Sequence, residues 1–301
     1  MAKKLPLTLV TGFLGSGKTS FLVNYLAEYS PERKIAIVQN EFAQSDIDSE
    51  VLRDENDDFV LRELNKGSIF CRCLFSSFLD TLVELSENEE VDAVLIEATG
   101  IADPIAIAQV FEDKRINERY YLQKIITIVD ASRFLNVLEN IVAVRHQVEV
   151  ADYILVNKTD LADGQQLERI HDNIKALNPF GKILMSSHGD FNPAELSEND
   201  IEILACAGKI GDLTRCGQGN YVSGIFKRDI IIPRANVDKF LSSLDDDILR
   251  LKGYVTCEDG KCYMVQYVPG QLEVKPCQHK VGKIEIVSIG FKEPDFILLL
   301  K

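Results

Sequence analysis

Short apolar runs alternate with amphipathic segments from Leu5 to about Ser187. The apolar runs have the length expected of strands buried on both faces, and the segments between them carry apolar residues at helical spacing. This alternation predicts an α/β fold in which a mostly parallel sheet is covered by helices. The predicted strands are Leu5–Val10, Lys34–Val38, Val91–Ile96, Lys124–Val129, Tyr153–Val156 and Lys182–Met185.

The pattern changes beyond residue 190, where acidic and small residues predict a linker. We therefore predict a first domain at residues 1–190, a linker at 191–218 and a smaller α+β domain at 219–301. The elements predicted in the second domain are a strand at Tyr221–Ile232, a helix at Val237–Leu249, a hairpin of Cys262–Val268 and Leu272–Lys275, and a strand at Lys283–Ile289.

The amino-acid composition excludes several classes of protein and of partner. The 301 residues are 46% apolar and 27% charged, which is ordinary for a globular chain and excludes a disordered or fibrous one. The 33 basic and 47 acidic side chains leave a net charge of -14, which disfavours nucleic acid and anionic membranes as partners. No apolar run approaches the roughly 20 residues that span a bilayer. We therefore expect a cytoplasmic protein with reduced cysteines.

A phosphate-binding loop is predicted between the first strand and the first helix. The letters GFLGSGKT at residues 12–19 satisfy G-x-x-x-x-G-K-[ST] in the strand–loop–helix context that the motif requires. The glycines allow the backbone N–H groups to approach phosphate oxygens, Lys18 is expected on the β- and γ-phosphates, and the Thr19 hydroxyl is expected on Mg²⁺. The predicted nucleotide-binding residues of this loop are Gly12, Gly15, Ser16, Gly17, Lys18, Thr19 and Ser20.

The letters NKTD follow the strand predicted at Tyr153–Val156. A carboxylate at Asp160 can accept from the N1–H and the N2 amine of guanine, a pair of donors that adenine lacks, so GTP is favoured over ATP. Asn157 is expected at the O6/N7 edge, and the stem of Lys158 is expected over the base plane. The alternative interpretation is a polar strand end in which Asp160 caps a helix beginning near Leu161.

An apolar strand also leads to Glu97 and then to Gly100. This order is typical of the second acidic element of P-loop enzymes, in which Glu97 would hold Mg²⁺ through water and the Gly100 N–H would approach the γ-phosphate. Asp48 follows the second predicted strand in a polar stretch, where it is a candidate for Mg²⁺ or for the attacking water. The alternatives are an ordinary strand-end carboxylate at Glu97 and an ordinary polar loop around Asp48.

The ordered motifs GFLGSGKT, QNEF, ELNKG, LIEATGIADP, TIVDA, ADYILVNKTDL and ALNP resemble the CobW-type family of P-loop GTPases, relatives of the urease and hydrogenase maturation GTPases. The later segments ILRLKGYV and IEIVSIG resemble the small C-terminal domain of that family. The resemblance implies a metal chaperone or metallocofactor-insertion factor with slow GTP hydrolysis, a client metalloprotein and a nucleotide-dependent homodimer.

The sequence departs from the family at its metal motif. Members carry G-C-x-C-C after the E-L-x-N-G segment, whereas Ser68 and Phe70 occupy the first two cysteine positions here and only Cys71 matches. Cys73 restores a second thiolate, and Glu41 is the candidate that would help these thiolates complete a shell for Zn²⁺ or another transition metal. The alternative is a pair of thiols that only pack a loop.

We therefore predict a Mg²⁺-dependent GTPase in which Lys18, Thr19, Glu97 and Asp48 arrange GTP for attack by water. No arginine in the sequence is placed to assist this reaction, so we expect a partner or a second copy to complete the site. Two rival functions stay open at this point. One is a GTP-dependent assembly or reactivation factor for a corrinoid protein or other metalloenzyme that binds no metal itself. The other is an ATP-dependent small-molecule kinase.

Overall fold

A computed structural model describes residues 4–29, 33–41, 59–65, 75–88, 90–179, 181–187, 190–196, 222–245, 247–268, 271–277, 284–290 and 292–300. The chain divides into two compact units, one of Met1–Ala106 with Glu112–Leu204 and the other of Ile107–Phe111 with Ala205–Lys301. The predicted boundaries at 190, 191–218 and 219 stay a prediction, because residues 197–221 lie outside the described ranges.

The first unit contains a seven-stranded sheet in which every neighbouring pair of strands is parallel. The strand order β3-β2-β4-β1-β5-β6-β7 places β1 in the middle, so the carboxyl ends of β4, β1, β5 and β6 open onto one edge. The predicted α/β fold is confirmed. The strands are β1 Leu5–Gly12, β2 Ile35–Glu41, β3 Phe59–Asn65, β4 Ala93–Glu97, β5 Tyr120–Asp130, β6 Tyr153–Asn157 and β7 Lys182–Met185.

Helices cover both faces of this sheet. Successive side chains of a strand point to opposite faces, so the buried residues of β6 alternate between two cores. Leu155 of β6 packs with Phe21 and Leu22 in one core, whereas its neighbours Ile154 and Val156 pack with helical residues in the other. The helices that lie between these strands in the sequence are α1 Lys18–Tyr29, α2 Phe75–Glu87, α3 Ile107–Glu112, α4 Lys114–Arg119, α5 Phe134–Asn140, α6 Val142–Glu149 and α7 Gly164–Leu177. Residues Ile107–Phe111 of α3 belong to the second unit.

The second unit is built on an antiparallel sheet of five strands in the order β11-β10-β9-β12-β8. Phe226, Phe240 and Phe296 stack in its apolar core. Its elements are β8 Val222–Arg228, α8 Arg234–Ser242, β9 Ile248–Thr256, β10 Cys262–Val268, β11 Gln271–Cys277, β12 Ile284–Gly290 and α9 Ile297–Leu300. The predicted hairpin is confirmed by the antiparallel pairing of β10 with β11.

Some sequence predictions of secondary structure were incomplete or wrong. The strand predicted at Tyr221–Ile232 ends at Arg228. Strand β3 was not predicted, because Phe59, Val60 and Leu61 are only half-buried at the sheet edge and the charged pair Arg62 and Glu63 interrupts the apolar run. The helix predicted at Val237–Leu249 was wrong at its carboxyl end.

The apolar spacing of a helix continues through Leu244 and Ile248, yet α8 ends at Ser242 and the chain enters β9 at Ile248. The three aspartates at 245–247 explain this end, because negative charge is unfavourable at the carboxyl terminus of a helix. Within the described ranges, no helix is long and apolar enough to cross a membrane.

Candidate nucleotide site

The loop between β1 and α1 has the backbone that its glycines were predicted to allow. Gly12 and Gly17 have φ angles of 142° and 103°, in the region that disfavours any side chain. A Cβ at Gly12 would collide with the carbonyl oxygen of Ile128, and a Cβ at Gly17 would collide with Nδ2 of Asn157. Glycine is therefore required at both positions by conformation and by space.

Lys18 and Ser16 donate hydrogen bonds to backbone carbonyl oxygens of this loop. Lys18 Nζ donates to the carbonyl oxygens of Gly12 at 3.0 Å and Phe13 at 3.4 Å, and Ser16 N–H donates to Phe13 O at 3.1 Å. Ser16 is fully buried, and its hydroxyl has no hydrogen-bond partner among the described residues. Buried hydroxyls are nearly always bonded, so this arrangement fits a ligand that brings oxygen atoms into the loop. Thr19 and Ser20 follow in the first turn of α1.

The NKTD residues contact the phosphate loop directly. Asn157 is the last residue of β6, and its Nδ2 donates to Ser16 O at 3.0 Å. Lys158 Nζ donates to Gly15 O at 2.6 Å. Lys158 has a φ of 58°, and its backbone N–H donates to Asn157 Oδ1 at 2.8 Å, which holds this unusual turn. The fold thus brings together two motifs that lie far apart in the sequence.

Asp130, at the end of β5, braces Lys158 from the other side. Its carboxylate accepts from Lys158 Nζ at 2.6 Å, from the Ser132 N–H at 2.9 Å and from the Ser132 hydroxyl at 2.6 Å. Burial alone would raise the pKa of Asp130, but the hydrogen bonds from Lys158 and Ser132 outweigh it and hold the pKa below the usual value of an aspartate. The Asp130 carboxylate is therefore ionised at neutral pH.

Asp160 lies in a short 3-10 helix, Thr159–Leu161, immediately after β6, with an exposed side chain. The alternative that Asp160 caps a helix beginning near Leu161 was wrong. The helix α7 begins at Gly164, and Asp163 is its cap, because the Asp163 side chain accepts from the Gln166 N–H at 2.8 Å.

Glu97 ends β4 beside the phosphate loop strand, with Val10 as its register partner on β1. It is 8% exposed, and its Oε2 accepts from Gln39 Nε2 at 2.8 Å across the parallel pairing of β2 with β4. This bond fixes the Glu97 carboxylate at the carboxyl end of β4. Thr99, two residues further on, is buried, and its hydroxyl lacks a hydrogen-bond partner in the part of the chain that the structure describes.

Gly100 touches the phosphate loop. A Cβ at Gly100 would lie 2.5 Å from Leu14 N and 2.7 Å from Leu14 Cγ, so only glycine fits here. The segment that follows Glu97 is therefore packed against the backbone that would hold the phosphates.

The predicted transition-metal residues Cys71 and Cys73 lie outside the described ranges, and Glu41 is described only as the last residue of β2. Asp48, the candidate for Mg²⁺ or for the attacking water, also lies outside them. Among the residues that are described, no group of three or more His, Cys, Asp or Glu side chains has a metal-binding arrangement.

The family of this chain can be assigned by comparison with known protein families. Residues 6–185 match the family described as CobW/HypB/UreG, nucleotide-binding domain. This chain belongs to that family. Residues 221–294 match the cobalamin synthesis protein CobW C-terminal domain, so both units of this CobW-family chain have counterparts in the family.

Curated relatives and solved structures agree with this assignment. The chain is 30% identical to the zinc chaperone YjiA of Escherichia coli over 266 residues, which cover 83% of this chain and 81% of that protein. It is 27% identical to the zinc-regulated GTPase metalloprotein activator 1 of Saccharomyces cerevisiae, over 72% of this chain and 56% of that protein. The fold matches a crystal structure of zinc-bound YjiA with a TM-score of 0.57 and 24% identity, covering 99% of this chain and 98% of that one.

Several residues of the site were not singled out by their sequence. Gln39 and Asp130 lie within the motifs QNEF and TIVDA, but no local pattern indicates a role for either. Ser186 accepts from the Thr159 N–H at 3.1 Å through its carbonyl, and its hydroxyl lies 3.3 Å from Asn157 Oδ1. The only available signal for Ser186 was its position at the end of a predicted strand, beside the NKTD strand.

Proposed function

We propose that this CobW-family chain is a cytoplasmic, Mg²⁺-dependent GTPase that acts as a metal chaperone or metallocofactor-insertion factor for a client metalloprotein. The observation that carries the nucleotide part is the pair of direct hydrogen bonds from Asn157 and Lys158 to the backbone of the phosphate loop. These bonds set the distance between the loop that would hold the phosphates and the loop that would hold the base. The names of the zinc-chaperone and GTPase relatives support the cargo and the reaction.

The chain's own groups suit the reaction. Lys18 and the backbone N–H groups of residues 12–19 would hold the β- and γ-phosphates. The Thr19 hydroxyl and the Glu97 carboxylate would hold Mg²⁺, which when bound neutralises charge that develops on the phosphate oxygens. Asp48 is proposed to orient the attacking water. The protein therefore contributes positioning and charge, and its turnover is slow until a partner or a second copy completes the site.

The choice of base can be tested by changing one carboxylate. Xanthine carries a carbonyl oxygen where guanine carries its N2 amine, so an amide at position 160 would match xanthine and mismatch guanine. In Asp160→Asn we expect the affinity for GTP to fall at least tenfold and the affinity for xanthosine triphosphate to rise, since an unsatisfied polar group costs about 1–3 kcal/mol. Calorimetric titration of both nucleotides, with ATP as a competitor, measures this.

Asp163→Asn is the matched control, because it makes the same charge change three residues away on a carboxylate that only caps α7. It should leave both affinities unchanged and cost at most about 1 kcal/mol of stability. Unchanged GTP binding in Asp160→Asn, or equal binding of ATP and GTP by the native protein, would refute guanine selection and favour a kinase on this scaffold.

The proposed metal ligands are Glu41, Cys71 and Cys73. Glu41 ends β2 and is the register partner of Asn65, which ends β3. Cys71 and Cys73 come six and eight residues after Asn65 in the sequence, which supports a shared site with Glu41. Two thiolates and a carboxylate suit Zn²⁺ with a fourth ligand from water or the client.

Cobalt(II) titration of the full chain, with and without GTP, tests this cargo site. Thiolate-to-metal absorption bands should appear with the native protein and be lost in both Cys71→Ala and Cys73→Ala. Cys257→Ala is the control, because the Cys257 thiol is buried and burial raises its pKa, which disfavours the metal-binding thiolate. Featureless spectra with intact GTPase activity would refute metal binding and favour an assembly factor that acts on a corrinoid protein or other client without holding metal.

A further inference from the structure

A buried glutamine on α6 holds the segment that follows Glu97. Gln147 is 1% exposed, and its side-chain Nε2 donates to Ala102 O at 3.2 Å and to Gly100 O at 3.4 Å. An amide group carries two N–H donors, so one side chain can serve both carbonyls. Gln147 thereby holds the Gly100–Ile101 peptide through its carbonyl, and Gly100 itself packs against the phosphate loop residue Leu14.

The backbone of Gln147 is itself tied to the strand that enters the phosphate loop. Its carbonyl accepts from the Thr127 hydroxyl at 2.6 Å, and the Thr127 and Thr11 hydroxyls lie 2.9 Å apart. Thr11 immediately precedes Gly12 in β1. All of these groups are buried, so a continuous hydrogen-bonded chain runs from the phosphate loop through β5 and α6 to Gly100.

The neighbouring residue His146 holds the same segment at a second point. Its Nδ1 lies 2.8 Å from Asp103 Oδ2, and the His146 ring is almost fully buried. Burial alone would lower the pKa of His146, but the hydrogen bond and charge of Asp103 outweigh it, Glu149 adds to the effect and Arg145 opposes it, so the pKa is raised. Residues 100–103 are therefore clamped at both ends by adjacent residues of one helix.

We propose that Gln147 is a positioning residue for the γ-phosphate: by holding the Gly100 carbonyl while Gly100 packs against Leu14, it fixes the Gly100 Cα and so limits where the N–H on the preceding peptide meets the nucleotide. This inference rests on the proposed GTPase function, in which the Gly100 N–H faces the γ-phosphate. A glutamine that only satisfied two buried carbonyls would affect stability and both nucleotides alike. A positioning residue would affect only the nucleotide that has a γ-phosphate.

The test compares affinities for GDP and for a non-hydrolysable GTP analogue. Gln147→Met keeps the length of the side chain and removes both donors. We expect its affinity for the analogue to fall about tenfold relative to GDP, the scale of one hydrogen bond to a charged group. Its kcat for GTP should fall at least as much. Gln166→Met is the matched control, because Gln166 Nε2 also donates to a backbone carbonyl, that of Ala131 at 3.0 Å, and it should leave the ratio unchanged.

A second variant tests the same inference if Gln147→Met fails to fold. Thr127→Val keeps the volume of the side chain and removes the hydroxyl that holds the Gln147 carbonyl, and it should lower the analogue-to-GDP ratio about threefold, with Thr127→Ser restoring it. An unchanged ratio in both Gln147→Met and Thr127→Val would overturn the inference. A native protein that binds neither nucleotide would instead overturn the proposed function, so the two failures are distinguishable.

Discussion

The two ends of the nucleotide site differ in how completely their polar groups are bonded. At the base end, Asn157, Lys158 and Asp130 bond to one another and to the phosphate loop backbone. At the phosphate end, the buried hydroxyls of Ser16 and Thr99 have no hydrogen-bond partner within the described ranges. The base end is therefore a framework complete in itself, and the phosphate end is an arrangement that phosphate oxygens would complete.

This difference separates two kinds of variant. A change at the base end should weaken GTP and GDP equally, because both carry the same base and the framework holds the loop for both. A change at the phosphate end should separate GTP from GDP or lower kcat, because those groups meet the oxygens that react.

The largest effect is expected from Lys18→Ala at the phosphate end. Removal of a preorganised charge from the transferring phosphoryl group typically costs about 100-fold to 1,000-fold in rate, and we expect a loss of kcat in that range. Phosphate release under saturating GTP measures it. Lys182→Ala is the control, because Lys182 Nζ also donates to a backbone carbonyl, that of Glu195 at 3.0 Å, but lies at the edge strand β7. Equal rates for Lys18→Ala and the native protein would contradict the assignment of this end.

The next largest effect is expected from Asp130→Asn at the base end. Removal of one partner from a hydrogen-bonded charge pair costs about 2 kcal/mol or more, so the affinities for GTP and GDP should both fall about thirtyfold with an unchanged ratio. Titration calorimetry with each nucleotide measures this. Ser132→Ala removes no charge and only the hydroxyl bond to Asp130, so its effect should be severalfold smaller. A selective loss of GTP would show that the two ends are not independent.

The sequence located both ends of the site but not the residues that link them. GFLGSGKT and NKTD are contiguous strings whose spacing follows from local backbone geometry, so they are visible without a fold. Gln39, Asp130 and Gln147 are different, because each acquires its role from a partner on another strand or helix. Gln39 meets Glu97 only through the register of β2 against β4, and no local pattern specifies that register.

The same reasoning explains why no local sequence pattern indicates a role for His146. A single histidine in the segment VAVRHQVE is consistent with an ordinary helix, and its apolar neighbours Val144 and Val148 indicate only a buried face. The partner Asp103 lies 43 positions earlier. Long-range pairs of this kind are fixed by packing, so the fold is needed to find them.

A smaller effect on the phosphate end is expected from Gln39→Leu. The Gln39 side chain donates to Glu97 at 2.8 Å, and loss of such an outer partner typically lowers the affinity of a metal site about tenfold. The Mg²⁺ concentration that supports half-maximal hydrolysis should rise about tenfold while GDP binding without Mg²⁺ stays the same. An unchanged Mg²⁺ requirement would show that the bond from Gln39 has no influence on how Glu97 holds the ion.

The smallest expected effect is on thermal stability. The contributions of Asp130 and of His146 to stability should change with pH in opposite directions. The Asp130 pKa is lowered, so its contribution is present above the ordinary aspartate pKa and is lost only as pH falls through the folded value. The His146 pKa is raised by Asp103, so that pair stabilises the protein fully below the unfolded histidine pKa and is lost as pH rises through the folded value.

His146→Gln should therefore lower Tm by about 2 °C at pH 5.5, and the deficit should shrink as pH rises through the raised pKa. Thermal unfolding of the native protein and the variant from about pH 5.5 to pH 9 measures the difference. His171→Gln is the matched control, because His171 is an exposed histidine on α7, and it should give no deficit at any pH. A deficit for His146→Gln that stayed constant with pH would mean that the ring acts through packing and not through its charge, and the clamp on residues 100–103 would then depend on Gln147 alone.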